Sequence, residues 1–363
     1  MLKQQKIFFE FLRFCIGSAK EIPDSLKEVD WKELYRIAQK QALLGVLFHG
    51  IQRLPKELAP EQKLLMQWMV MAEMVRKQNI KLYQDSVKVC QNFEKEGFAN
   101  CILKGQGNAL LYPDPYMRTP GDIDIYLSGG RKKIMKYVDQ VCPNQVMRYH
   151  HVDFPVMKTA IEVHFTPSYM FYPIHNRRMQ KWFEKVMGEQ CNHRGSLPDG
   201  YEEIHVPQIS FNVIYILSHL YRHIFTEGIG LRQLLDYYYV LISDDLLLIR
   251  DRVQKDLKHL GLWKFAQAVM FVMKEVFGQS EDRMIAPMDE KEGRFLLDEI
   301  MRGGNFGQYD DRMGSKVGES KIHRYFRMNL RNLRFVKHYP TEALSEPLFR
   351  TWFAVWKKIH AIE

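Results

Sequence analysis

LKGQGNALLYPDPYMRTPGDIDIYL, residues Leu103 to Leu127, is the stretch on which the fold turns. It carries an apolar run ending at Lys104, a Gly105-Gln106-Gly107 turn, and Asp122 and Asp124 set two positions apart among isoleucines. Side chains of a strand alternate between faces, so the two carboxylates project together while Ile123 and Ile125 point into a core. Neighbouring carboxylates repel unless a cation separates them. A hard divalent ion meets that demand, and Mg²⁺ (or Mn²⁺) takes one or two carboxylates together with phosphate oxygens and water.

The same device recurs downstream in AIEVHF, where Glu162 and His164 share one face and Ile161, Val163 and Phe165 the other. A third carboxylate on a neighbouring strand completes a site for two metal ions, suited to activating a hydroxyl and holding a triphosphate for in-line displacement. A lone DxD is more often a strand leaving a turn, with solvated carboxylates. The context argues against that here. Lys104, Gly105, Gln106 and Gly107 follow the apolar Cys101-Ile102-Leu103 and precede a helix expected near Asn108, a place where backbone N–H groups receive phosphate. Glycine permits close approach of the backbone, and Lys104 and Arg118 offer cations for the phosphate charge.

Outward from this core the periodicity changes. Residues 1–98 read as a helical N-terminal part, with apolar positions such as Leu34, Ile37, Ala38 and Ala42 at helical spacing. Residues 99–206 break into short apolar runs divided by Gly and Pro, the pattern of a small mixed sheet with helices packed on it. Residues 207–363 return to long helical text. The expected fold class is α+β: a small mixed β-sheet core with helical N-terminal and C-terminal parts.

The motifs resemble those of the nucleotidyltransferase superfamily with the DNA polymerase β type core, and most of all its bacterial branch of uncharacterised nucleotidyltransferases. That branch reads KG, a Leu with Tyr-Pro, an Arg before DID, and a strand resembling iElHw. Here these are Lys104-Gly105, Leu111-Tyr112-Pro113, Arg118 with Asp122-Ile123-Asp124, and Ile161 to Phe165. The resemblance implies Asp122, Asp124 and Glu162 as catalytic metal carboxylates and Gly105 with its neighbours as the phosphate turn. It implies Mg²⁺ (or Mn²⁺) as cofactor and an NTP as co-substrate whose NMP group moves to an acceptor. Two departures stand out: Gln106 replaces the usual serine, and the interval from Gly105 to Asp122 is long. The rival reading is a non-catalytic nucleotide- or partner-binding protein that keeps the fold.

Beyond the core, His219 and His223 lie four apart on one helical face, followed by Arg232 and Asp236. The spacing lacks the glutamate of a zinc HExxH motif, so these are core-lining or cleft-lining groups. With His164 they are candidates for the acceptor side of a cleft. His164 itself is either a proton acceptor for the incoming hydroxyl or a group that orients Glu162, the second being preferred. Arg324, Arg327, Arg331 and Arg334 fall on one stripe of a helix over residues 321–338, with Ile322, Phe326, Leu330 and Leu333 opposite. A solvated basic face is the ordinary reading; a track for a phosphate backbone is the alternative.

Hydrophobic residues make up 46% and charged residues 26% of the 363, which supports ordinary cores and excludes wholesale disorder. The formal net charge of +9 favours anionic partners such as nucleotides, nucleic acids or sugar phosphates without choosing among them; the resemblance implies a nucleoside triphosphate first, with nucleic acid less favoured. Five scattered cysteines without a CxxC pair point to reduced thiols and a cytoplasmic location. No apolar run is long enough for a membrane span. The acceptor, a small molecule or a protein, has no readable signature.

Overall fold

The computed structural model describes residues 3–200, 202–313 and 320–359. Three helices open the chain, α1 (Lys3–Ile16), α2 (Trp31–Lys40) and α3 (Leu44–Ile51), and α4 (Gln62–Lys95) runs for 34 residues after them. Its buried positions, Trp68, Ala72, Val75, Asn79 and Leu82 onward, recur every three to four residues and make one inward stripe. The first part of that stripe joins one apolar core and the second part another. A single long helix therefore ties the two cores together.

The mixed sheet expected from the alternating runs is present. Strands β1 (Asn100–Ile102), β2 (Ile123–Leu127), β3 (His151–Asp153) and β4 (Ile161–His164) pair in the order β1-β2-β4-β3. The central β2 and β4 are parallel, and both outer pairs are antiparallel. A single turn, α5 (Gln106–Ala109), follows β1, and α6 (Gly130–Val141) follows β2. Ile123, Ile125, Leu127, Ile161 and Val163 turn one face of the sheet into the core shared with α6 and the end of α4. The other face carries the polar residues.

Two elements in this region had no signal in the reading of the sequence. Helix α7 (Pro173–Gln190) is followed by a hairpin, β5 (Arg194–Ser196) with β6 (Glu203–His205). Both strands are only three residues long, too short for alternation to stand out.

The helical tail comprises α8 (Ile209–Thr226), α9 (Leu231–Leu241), α10 (Asp245–His259), α11 (Trp263–Phe277), α12 (Glu290–Gly303), α13 (Lys321–Val336) and α14 (Pro340–Ile359). Helix α8 is buried almost all round, and its apolar residues share one core with α1–α3. None of the helices is long and apolar enough to cross a membrane, among the described residues. Four of the five free cysteines are buried, Cys15 in the helical core and Cys90 against the sheet.

Helix α13 reverses the expected facing. Arg331 is buried, and Arg334 turns inward to pair with Glu299 and Asp310, each at 2.9 Å. Phe326, Leu330 and Leu333 are exposed instead. Acidic groups on α12 and on the turn after it draw the arginines in, which leaves the apolar stripe outside. The Arg324 side chain lies outside the described residues.

The segment that leads into β2 rests on α3. A side chain at Gly45 would collide with the backbone carbonyl of Met117. Replacing Gly45 by Ala is therefore expected to destabilise the protein by about 1–3 kcal/mol, read as a lowered urea midpoint, because the close approach must open.

Candidate active site

The polar face of the sheet is set by register. Asp124 on β2 is the direct partner of Glu162 on β4, and His164 pairs with Tyr126 across the same two strands. On the far side of β4, Asp153 opposes Glu162 and His151 opposes His164. A parallel pair of strands with matched i and i+2 polar positions thus brings two carboxylates and an imidazole into one patch. One close group is Asp124, Glu162 and His164, whose candidate ligand atoms all lie within 4.8 Å of one another; His150 and His151 with His164, and His151 with Asp153 and Glu162, are two more among the described residues. Asp122 sits one step before β2 on the same facing and outside these groups.

Lys104 reaches across from the end of β1. Its Nζ lies 2.9 Å from Asp124 Oδ1, and His164 Nε2 lies 3.0 Å from the same oxygen and 3.6 Å from Glu162 Oε2. The second oxygen, Asp124 Oδ2, is buried with no hydrogen-bond partner. Burial alone would raise the Asp124 carboxyl, but Lys104 and then His164 outweigh it and hold the group well below the usual carboxylate range. The price of that charge appears next door: repulsion from Asp124, with burial behind it, pushes Asp122 up to about 6. Burial disfavours the His164 cation, yet its contacts with Asp124 and Glu162 raise its pKa.

Gly105 adopts φ 59°, ψ −111°, a backbone region that side-chain-bearing residues avoid, and a Cβ there would approach the Asp122 carbonyl to 3.3 Å. Here a glycine is required by conformation. Behind it, α5 starts at Gln106 with Gly105 at its N-terminal cap. The helix expected near Asn108 is one turn long, too short to present a substantial dipole. Gln106 turns away to donate to Asn79 Oδ1 at 2.9 Å, and the space beside Gly107 is closed by Ile102 and Val206.

Helices α8 and α9 cover this face, leaving a narrow cleft of about 40 Å³, room for a few waters. Lys104, Gly105, Asp122 and Asp124 line it from the sheet side, Tyr215 and His219 from α8, and Arg232, Gln233 and Asp236 from α9. Phe306, from the Gly-rich joint after α12, lines it as well.

Arg118 and Asp236, read from sequence as belonging to different walls, are partners. Arg118 donates Nε to Asp236 Oδ1 at 2.7 Å and Nη2 to Oδ2 at 2.8 Å, and Tyr112 donates its hydroxyl to Oδ1 at 2.7 Å. Both side chains are buried, so the guanidinium expected to meet phosphate is already neutralised. His219 and His223 are likewise held from within: Arg222 donates to His219 Nδ1 and His223 Nε2, each at 3.2 Å, and to His150 Nε2 at 2.8 Å. Those nitrogens accept and so are unprotonated. Burial, then Lys104, keeps His219 well below the usual imidazole range; burial, with Arg222 adding to it and Glu227 opposing, takes His223 to about 4.

Arg222, His150, His151, Tyr215 and Gln233 had not been singled out from the sequence. Arg222 stands between the two histidines in SHLYRHIF, and the His150-His151 doublet in MRYHHVDF was the one visible signal.

A family model described as uncharacterised nucleotidyltransferase matches residues 27–278, which include the whole sheet and both cleft helices. The chain belongs to that family. No curated protein and no solved structure matches it. Within this family member the Arg118–Asp236 pair joins the loop before β2 to α9, and so fixes the two cleft walls relative to each other. Arg118→Met or Asp236→Leu alone is expected to cost about 3–5 kcal/mol, while the double substitution recovers most of it. Chemical denaturation of the three variants checks this.

Proposed function

We propose that the protein moves an NMP group from an NTP to a hydroxyl of an acceptor, using a divalent metal, Mg²⁺ or Mn²⁺, and that its sheet is a core of the DNA polymerase β type. The observation that carries the reading is the facing of Asp124 and Glu162 across parallel strands, with a buried Asp124 oxygen left free beside Lys104. Membership of a nucleotidyltransferase family gives the reaction type. The donor set of two carboxylates and one imidazole, with Asp122 alongside, suits a divalent ion. Bound there, such an ion would polarise the phosphoryl oxygens and ease ionisation of the attacking hydroxyl.

The chain's own residues supply the rest. Lys104 balances the carboxylate charge between turnovers and lies where a phosphate can exchange for it. His164, buried between the carboxylates, orients them rather than meeting the acceptor. The acceptor oxygen bonds to the α-phosphorus, the bond to the β-phosphate oxygen breaks, and pyrophosphate leaves. The hydroxyl proton passes to water at the open edge, where the Glu162 side chain is 27% exposed. Helices α8 and α9 keep bulk water from competing as acceptor. Five free thiols suit a reducing cytoplasm.

The retained carboxylate set favours catalysis over a binding module that merely keeps the fold. Asp124→Asn preserves shape and removes the ligand charge. It is expected to lower transfer by more than about 100-fold, the upper cost of disturbing even an outer contact of a metal site. It should also abolish the rise in melting temperature that NTP with Mg²⁺ gives the wild type. Mass spectrometry of products with each NTP and a metabolite extract reads the transfer; an unchanged rate in Asp124→Asn would sink the reading.

A further inference from the structure

Two of the three cations on the cleft already have a carboxylate. Lys104 rests on Asp124 and Arg118 on Asp236, whereas Arg232 makes no ion pair among the described residues. Arg232 is 6% exposed, its Nη1 donates to the Thr119 carbonyl at 2.9 Å, and its Nε is buried with no partner. A buried guanidinium without a counter-ion is costly, and proteins seldom retain one without a ligand to meet it. Burial, with Arg118 nearby, takes its pKa down to about 10, so it is still a cation at neutral pH.

Its neighbours on the cleft are in the same condition. Gln233 gives its Oε1 to the Gly230 amide, leaving Nε2 buried and unpartnered, and the Tyr215 hydroxyl is buried and unpartnered as well. Three donors with nothing to donate to, all in one cleft, describe a site for an anion rich in acceptors. Phe306 packs over Arg232 with 5.4 Å between ring centroid and guanidinium. It sits in the left-handed region, φ 52° and ψ 31°, between Gly304 and Gly307, a conformation that a bulky residue adopts at a cost. The cleft as it stands is too narrow for a polyphosphate, and Phe306 is the side chain over Arg232 that would have to move to admit one.

We infer that Arg232, with Gln233 and Tyr215, forms a phosphate-binding subsite in the cleft, the role that sequence had given to Arg118. The inference deepens the transferase reading and rests on it for which phosphate is bound: the polyphosphate tail of the nucleotide or the phosphate of a phosphorylated acceptor. Its anion affinity is independent of turnover, so it is measured on the full chain by calorimetry in EDTA, with inorganic pyrophosphate in one arm and ribose 5-phosphate in the other. Tighter pyrophosphate binding assigns the donor tail; tighter monoester binding assigns the acceptor. Arg232→Gln is expected to weaken the preferred anion by about 10- to 100-fold, as loss of charged hydrogen bonds does. Arg232→Lys should retain part of the affinity.

Melting separates a ligand-binding arginine from a structural one. Without anion, Arg232→Gln is expected to melt at or above the wild-type temperature, since an uncompensated charge has been removed. Equal anion affinity in wild type and Arg232→Gln, or a melting temperature clearly lowered in Arg232→Gln and restored in Arg232→Lys without any anion binding, overturns the subsite. Absence of transfer by the wild type, with Arg232-dependent anion binding intact, would instead reject the transferase reading and leave the subsite standing.

Discussion

Two carboxylates, Asp124 and Glu162, stand opposite each other on adjacent parallel strands, and the surrounding structure is arranged around that repulsion. Without compensation the pair would drive one of its members to protonate. Lys104 and His164 converge on Asp124 Oδ1, so Asp124 stays ionised, and the cost is displaced onto Asp122. Three elements are fixed by this one balance: the end of β1 that delivers Lys104, and the two strands that set the register.

Around the charged patch lies a shell of neutral imidazoles. Arg222 donates to three of them, and a fourth, His151, is taken to about 3 by burial and by His164. Charge is thus concentrated on the carboxylates, Lys104 and the arginines, while His150, His219 and His223 act as hydrogen-bond acceptors that hold Arg222 in place. The buried Arg118–Asp236 fork serves a different end. It spans the cleft wall to wall, so that α9 is placed with respect to the loop preceding β2 by two short hydrogen bonds instead of by apolar contact alone.

The sheet and its acidic face were legible because alternation has a period of two, and Asp122-Ile123-Asp124 and Glu162-Val163-His164 show it in three residues each. Gly105 stood out in the sequence for close approach of a phosphate, whereas the positive φ that requires a glycine there had no signal. What failed to show was pairing between distant charges. Nothing in the sequence connects Arg118 with Asp236 across 118 positions, nor Arg334 with Glu299 and Asp310, so both arginines were read as free cations. The facing of α13 was misjudged on the same ground: amphipathicity tells which residues share a side, while the partner's charge decides which side goes in. In β5, Arg194-Gly195-Ser196, there is no apolar side chain to alternate, so the hairpin it forms with β6 gave no such pattern.

The buried cysteines make the two cores separately observable. Cys15 belongs to the helical core, and Cys90 lies where α4 meets the sheet. Burial raises both thiols, Cys90 to about 12, so neither forms an appreciable thiolate while its surroundings stay closed. Alkylation at each position can then proceed only through local or global opening, which turns two native side chains into clocks for two parts of one molecule. Because α4 runs through both cores, equal clock rates would mean that the helix transmits opening along its whole length, and unequal rates that it hinges between them.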